Sequence, residues 1–219
     1  MYEITTRWQR VKALYEFWII DHEFIRALYR NFHAISDNAY RSSHPSPRFI
    51  KKLQQNIGLK TIINLRGENM TGQYMLEREA CEALGVTLIS IPFSSRTAPP
   101  AESIKKLFSA LDEAEYPILF HCKSGADRAG IGSALYQFYK NDVPLDESRQ
   151  LRWQYGHIKS SETGVLDHFV ETWQTYHAEN PDVDFMTWVE TEYDFKAVNQ
   201  SYSASRLGNI LVNKILRRE

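Results

Sequence analysis

Apolar positions in residues 7–33 recur at helical spacing, with Val11, Leu14, Trp18, Ile25, Leu28 and Phe32 three, four and seven apart, and Asp21 is placed to cap a second helix there. The period then changes. Asn38-Ala39-Tyr40-Arg41-Ser42 reads as extended, and Ser46-Pro47 supplies a capping hydroxyl and a first-turn proline for a helix that ends near Gly58. Thr61-Ile62-Ile63-Asn64-Leu65 is a β-branched strand; a helix through Tyr74, Leu76 and Ala80 stops at Gly85, and Val86 to Phe93 is strand again. A helix over 100–114, a strand over 116–121 and a helix after Arg128, carried by Ile131, Leu135 and Phe138, continue the alternation. Beyond residue 144 only helices are expected: Leu145 to Trp153, Val165 to Tyr176, and a basic amphipathic tail from Ala204 holding Leu207, Ile210, Leu211 and Ile215. Strands alternating with helices predict an α/β fold with a mainly parallel central sheet flanked by helices, plus extra helices at both ends. The expected divisions are an N-terminal helical extension over 1–37, a central domain over 38–160, and a C-terminal helical extension over 161–219 packed on it.

Composition narrows the class. A chain of 219 residues with 43% hydrophobic and 13% aromatic residues buries a real core, and a formal charge of −1 gives no global argument for nucleic acid. Anion binding must therefore be local. Two cysteines, Cys81 and Cys122, are too few for a disulfide framework, and the start shows no basic, apolar and cleavable leader pattern, so a cytoplasmic setting is expected. The longest apolar stretch, Phe17 to Ile20, is closed by Asp21-His22-Glu23, far short of the roughly 18 residues that span a bilayer.

The candidate chemistry lies in FHCKSGADRAG, residues 120–130, where a buried strand ends and a helix begins. At such a junction the amides of a glycine-bearing loop converge on one point, and the positive end of the helix dipole reinforces them. The same field favours negative charge on the sulfur of Cys122. Arg128, six positions on, returns to the hollow with a planar fork that suits two phosphate oxygens. Lys123, Ser124, Gly125 and Ala126 then wrap a tetrahedral anion above the sulfur.

His121-Cys122-Lys123-Ser124-Gly125-Ala126-Asp127-Arg128 matches the HCxxGxxR signature and resembles the cysteine-dependent protein tyrosine and dual-specificity phosphatases. Four fixed residues would arise by chance in a chain of this length on the order of once in several thousand. The resemblance extends over about 38–160, where Tyr40-Arg41-Ser42 with Pro45, Asn64 to Glu68 and Ile91-Pro92-Phe93 are similar to the compact bacterial and fungal branch. It implies that Cys122 is a nucleophile forming a phosphocysteine intermediate, that Arg128 binds the phosphoryl group, that His121 helps to set the thiolate, and that no metal or other cofactor takes part.

Two positions depart from that pattern. Relatives commonly carry an acidic residue where Ser95 stands, and a hydroxyl residue where Ala129 stands. A serine does not protonate a leaving group near neutrality. Asp127, inside the loop, resembles an arrangement in myotubularins and some bacterial phosphatases in which a loop aspartate is the acid; a solvated carboxylate or an arginine partner is the alternative. Arg66 and Arg96 each follow a strand and are candidates for a second anionic group, with surface ion pairs as the bland reading. His157 and Lys159 are candidates for the rim. Cys81 reads as core, with a protective disulfide to Cys122 as the other possibility.

Three functions remain open on sequence alone. The first is hydrolysis of phosphotyrosine or phosphoserine and phosphothreonine; the second is the same chemistry on a phospholipid or inositol phosphate; the third is a catalytically weak module that binds phosphorylated ligands. Partners are accordingly a phosphorylated protein or phospholipid and no nucleic acid. Arg7, Trp8, Arg10, Lys12 and Trp18 at one end, and Arg206, Lys214, Arg217 and Arg218 at the other, mix basic and apolar residues as peripheral membrane helices do.

Overall fold

The computed structural model describes residues 4–26 and 28–203. The chain begins with α1 (Arg7–Tyr15), a π-helical turn (Glu16–Ile20) and α2 (Glu23–Arg26), then forms β1 (His33–Ser36), β2 (Ala39–Ser42), α3 (Pro47–Ile57), β3 (Thr61–Asn64), α4 (Gly72–Leu84), β4 (Thr87–Ser90), α5 (Ala101–Glu113), β5 (Ile118–His121) and α6 (Asp127–Asn141). Two short 3-10 turns (Trp153–Tyr155 and Glu162–Gly164) lead to α7 (Val165–Glu179) and α8 (Phe185–Thr191), and residues 195–203 are helical.

The five strands are ordered β1-β2-β5-β3-β4. All neighbours are parallel except β1 with β2, so the expected mainly parallel sheet is present. Every residue of the central strands β3 and β5 is buried, as a sheet covered on both faces requires. Alternation sorts those residues. Ile63, Leu65, Ile118 and Phe120 enter the larger core with α5 and α6, whereas Ile62 and Leu119 enter a smaller one with Ile50, Leu53 and Cys81 of α3 and α4. Leu166, Phe169 and Trp173 of α7 and Phe185 and Trp188 of α8 belong to the larger core as well.

Local signals account for the boundaries that held. Ser46 Oγ accepts from Phe49 N at 3.3 Å with Pro47 in the first turn, and Gly58 and Gly85 close α3 and α4 at φ 67° and 64°. Where the pattern failed, tertiary contacts prevailed. Residues 7–33 do not carry two continuous helices: α1 widens into the π turn, α2 is one turn long, and β1 falls within the 1–37 segment read as helical. His33-Ala34-Ile35-Ser36 pairs with β2 across the Asp37-Asn38 turn and buries only Ile35, too short an alternation to compete with the helical period upstream. Leu145 to Trp153 is not a helix either. Arg149 sits at φ 53°, which ends any helical run, and Gln150 gives both its carbonyl and its side chain to Arg41. The tail from Ala204 lies outside the described residues.

The N-terminal elements are tied to α4. Arg10 pairs with Glu79 at 2.5 Å, and Glu16 Oε2 accepts from Gly72 N at 2.6 Å. A Cβ at Gly72 would lie 2.5 Å from Ala13 Cα, so this approach needs glycine.

Candidate active site

Register aligns the strand ends that build the site: His121 is level with Ser42 on one side and Asn64 on the other. Cys122 therefore leaves the carboxyl edge of the sheet, and the loop 122–126 turns directly into α6 at Asp127. That is two residues earlier than the spacing placed it, so Arg128 itself lies in the first turn of α6. Cys122 is buried, and Gly125 N donates to its Sγ at 3.2 Å.

Gly125 has φ 74°, and a Cβ there would meet Ser42 C and Ser43 N at 2.6 Å. Only glycine permits both the turn and the approach. Arg41 holds the outer side of the loop. Its guanidinium donates from Nη2 to Gly125 O and Ala126 O at 2.8 Å each, and from Nη1 to Gln150 O at 2.7 Å and Oε1 at 2.8 Å, while the Tyr155 ring lies 4.3 Å away. The carbonyls of Gly125 and Ala126 are thereby fixed on Arg41, while the Gly125 amide points to the sulfur. Burial lowers the Arg41 guanidinium to about 10, with Cys122 and other nearby groups opposing that drop.

His121 sits behind the loop. Its Nε2 lies 2.7 Å from Glu77 Oε1, both side chains being fully buried, and its Nδ1 is 3.4 Å from the Cys122 carbonyl. The His44 ring meets the His121 ring edge-on at 4.9 Å, and burial followed by the field of His121 keeps His44 neutral. His44, Glu77 and His121 together offer donor atoms within 4.8 Å of one another, a spacing that could hold a metal ion; His121 Nε2 and Glu77 Oε1 are close enough to pair, but not at hydrogen-bonding angles.

A cavity of about 320 Å³ opens over the sulfur, lined by His22, Arg26, Ser95, Cys122, Lys123, Ser124, Asp127 and Arg128. Arg128, in the first turn of α6, makes no ion pair with a described residue, which leaves its fork for an anion. Ala126 lies within the loop, its amide directed to Ser124 Oγ at 3.4 Å. Lys123 Nζ is 3.6 Å from Asp21 Oδ1 and half exposed at the mouth.

Arg66 and Arg96 are not brought to this cavity. Arg66 is committed to Asp21 through two bonds of 2.8 Å, and Arg96 to Glu162 at 3.1 Å on the exposed surface. The mouth is instead supplied by the N-terminal turn, in which Asp21 gathers Arg66, Arg26 and Lys123 and so fixes His22 and Arg26 over the loop. His22 stands at φ 63°, unusual for a histidine. The one hint in the sequence was the polar interruption Asp21-His22-Glu23 in an apolar run. Asn31 adds a tie, donating to Ser124 O at 3.0 Å and Tyr155 O at 2.9 Å.

His157 is buried rather than on the rim. Its Nδ1 lies 2.8 Å from Asp127 Oδ1 and its Nε2 2.7 Å from Asp167 Oδ2. Lys159 pairs with Glu171 at 2.6 Å. Cys81 is a free thiol in the smaller core, where burial pushes its pKa up, and Cys122 is free on the other side of the sheet.

A family model described as a DSP-PTPase phosphatase fused to NAD+ kinase matches residues 35–166, more than half of the chain. No curated protein matches. Among solved structures, a protein of Shewanella putrefaciens CN-32 described as a phosphatase of the DUF442 group superposes with a TM-score of 0.52 at 20% identity, covering 66% of this chain and 93% of that one. TpbA of P. aeruginosa superposes at 0.51 with 18% identity, covering 80% and 91%. TpbA has also been solved as a cysteine-to-serine variant with phosphotyrosine; that structure superposes at 0.50 with 20% identity and covers 68% and 90%.

Proposed function

The chain belongs to the DSP-PTPase phosphatase family, and on that footing we propose that it hydrolyses phosphomonoesters of protein side chains, phosphotyrosine or phosphoserine and phosphothreonine, through a phosphocysteine intermediate. The observation that supports this most is the convergence of Cys122 Sγ, the Gly125 amide on it and Arg128, which makes no ion pair with a described residue, on one small cavity. The substrate phosphate sits in the loop with two oxygens on Arg128. Cys122 attacks phosphorus in line while the P–O bond to the leaving group breaks, and Asp127 protonates the departing oxygen. Water then attacks the phosphocysteine, Asp127 takes its proton, and thiolate and inorganic phosphate separate. The loop amides hold the equatorial oxygens through both steps, and their positions are fixed in advance by Arg41 and Gly125.

A second reading, phospholipid or inositol phosphate as substrate, is favoured by one feature. The elements that supply His22 and Arg26 to the mouth also expose Trp18, Ile19, Ile20, Phe24 and Leu28, an apolar surface beside the entrance. No described helix is long and apolar enough to cross a membrane, so lipid contact would be peripheral. Phosphate release from an aryl phosphate by the wild-type chain but not by Cys122→Ser tests the chemistry; absence of release would leave only a phospho-ligand-binding role. The same assay on phosphopeptides, phosphoinositides, phosphatidylglycerophosphate and inositol polyphosphates separates the substrates. Phosphopeptide turnover exceeding all lipids supports the first reading, and the reverse order overturns it.

A further inference from the structure

Asp127 is the one carboxylate in the phosphate loop, and an isolated carboxyl serves as an acid less and less as pH rises, by about tenfold per unit. Oδ1 is engaged with His157 Nδ1 at 2.8 Å, whereas Oδ2 accepts no bond from a described side chain and the residue lines the cavity. His157 is 2% exposed, and its other nitrogen is 2.7 Å from Asp167 Oδ2. A buried imidazole with a carboxylate at each nitrogen can satisfy both only by carrying two N–H protons.

We propose that His157 is a positioning residue for the proton transfer, holding with Asp127 one shared proton that the pair gives to the leaving oxygen and recovers from water. This rests on the reading of Asp127 as the acid. The groups around the ring are Asp127 from α6, Asp167 from α7, and, one step out, Lys159 bound to Glu171 and Arg41 against Tyr155. Burial alone would lower His157; the two carboxylates outweigh it and raise the imidazole to about 9.

At neutral pH the pair carries one proton, and a fixed fraction of molecules has it on the Asp127 carboxyl beside neutral His157. When the sulfur–phosphorus bond forms and the P–O bond breaks, that proton passes to the leaving oxygen. In the second step water gives its proton back to the pair as its oxygen bonds to phosphorus and the sulfur leaves as thiolate. Because the pair as a whole titrates, the supply of acid is constant with pH until His157 deprotonates. An isolated carboxyl would instead lose a factor of about ten per pH unit throughout that range.

The test is the pH profile of kcat/KM on an alkyl phosphate, glycerol 2-phosphate, for the wild-type chain, His157→Gln, Asp167→Asn and Asp127→Asn, with para-nitrophenyl phosphate in parallel. The wild-type profile should hold level from about pH 7 to its fall near 9. His157→Gln should replace the level region on the alkyl substrate by a decline of about tenfold per unit, while the aryl substrate, whose leaving group departs unaided, keeps its wild-type profile. Asp167→Asn, which keeps the shape of the clamp, should move the basic fall down by about a unit or more, and this arm stands if His157→Gln fails to fold. Profiles parallel to wild type, with both substrates slowed equally in the His157 and Asp167 variants, overturn the proposal. Equal slowing of both substrates in Asp127→Asn instead overturns the acid assignment beneath it.

Discussion

Arg41 ties the phosphate loop to the rest of the fold, and Arg41→Lys isolates how. The native guanidinium is fully buried and makes four hydrogen bonds of 2.7–2.8 Å, two to the loop carbonyls of Gly125 and Ala126 and two to Gln150. Lysine keeps the charge, but its protons leave from one point and cannot serve acceptors on both sides of the fork. One pair of buried acceptors is left without a donor, at about 1–3 kcal/mol each, or roughly 3 kcal/mol after partial relaxation. For a chain of this size 1 kcal/mol shifts Tm by roughly 2–4 °C, so calorimetry should show a fall of about 6–12 °C. Activity should suffer separately. Releasing the Gly125 and Ala126 carbonyls lets the amides above Cys122 turn, and a misplacement of about 1 Å in such a site costs on the order of a hundredfold in kcat/KM. A Tm within about 2 °C of wild type, together with full activity on para-nitrophenyl phosphate, would refute the claim that Arg41 sets the loop.

Arg128→Lys should retain charge but lose the two-pronged grip, lowering kcat/KM on an aryl phosphate at least a hundredfold, or about 2.7 kcal/mol; tenfold or less would place Arg128 away from the phosphoryl group. Gly125→Ala combines a left-handed strain of about 1 kcal/mol with a 2.6 Å clash against the Ser42–Ser43 backbone, so phosphate or vanadate binding, read by titration calorimetry, should weaken at least tenfold. Cys122→Ser should abolish turnover while binding the same anions within about threefold of wild type, since the amides and Arg128 remain. The raised pKa of His157 has a stability consequence whose sign is fixed: the folded value, about 9, exceeds the unfolded 6.5, so the stabilisation is complete below about pH 6.5 and is lost as pH rises through 9. The loss amounts to roughly 3 kcal/mol at most, and a Tm that does not decline between pH 7 and 9.5 would contradict the clamp.

The strand–loop–helix junction of the candidate site was legible because each of its signals is local. His121 to Arg128 lies on one strand–loop–helix junction, and period-two and period-3.6 patterns located the strands and helices that frame it. What escaped was carried by contacts distant in sequence. Glu77 reaches His121 from the middle of α4, where it reads as an ordinary polar helix position. Arg41 is 84 residues from the carbonyl of Gly125 that it holds, and Gln150, which completes its bonds, sits in a segment whose apolar spacing suggested helix. Arg66 and Arg96 illustrate the converse. Both leave strands near the right edge of the sheet, yet Asp21 and Glu162 take them, because an arginine near the surface pairs with the nearest carboxylate and not with the site that proximity alone would suggest. The mouth residues His22 and Arg26 come from a turn whose place depends on Asp21 bonding to three cations, which no local pattern encodes.

The central claim is that Cys122 carries the phosphoryl group during turnover. Mixing enzyme with a large excess of para-nitrophenyl phosphate, quenching in acid within milliseconds to seconds and mapping the digested chain by mass spectrometry tests it directly. The account predicts a phosphate on the peptide containing Cys122, formed with a burst of nitrophenol and lacking in Arg128→Lys on the same timescale. Steady turnover with that peptide unmodified at every time point, or hydrolysis that survives Cys122→Ser, would contradict it.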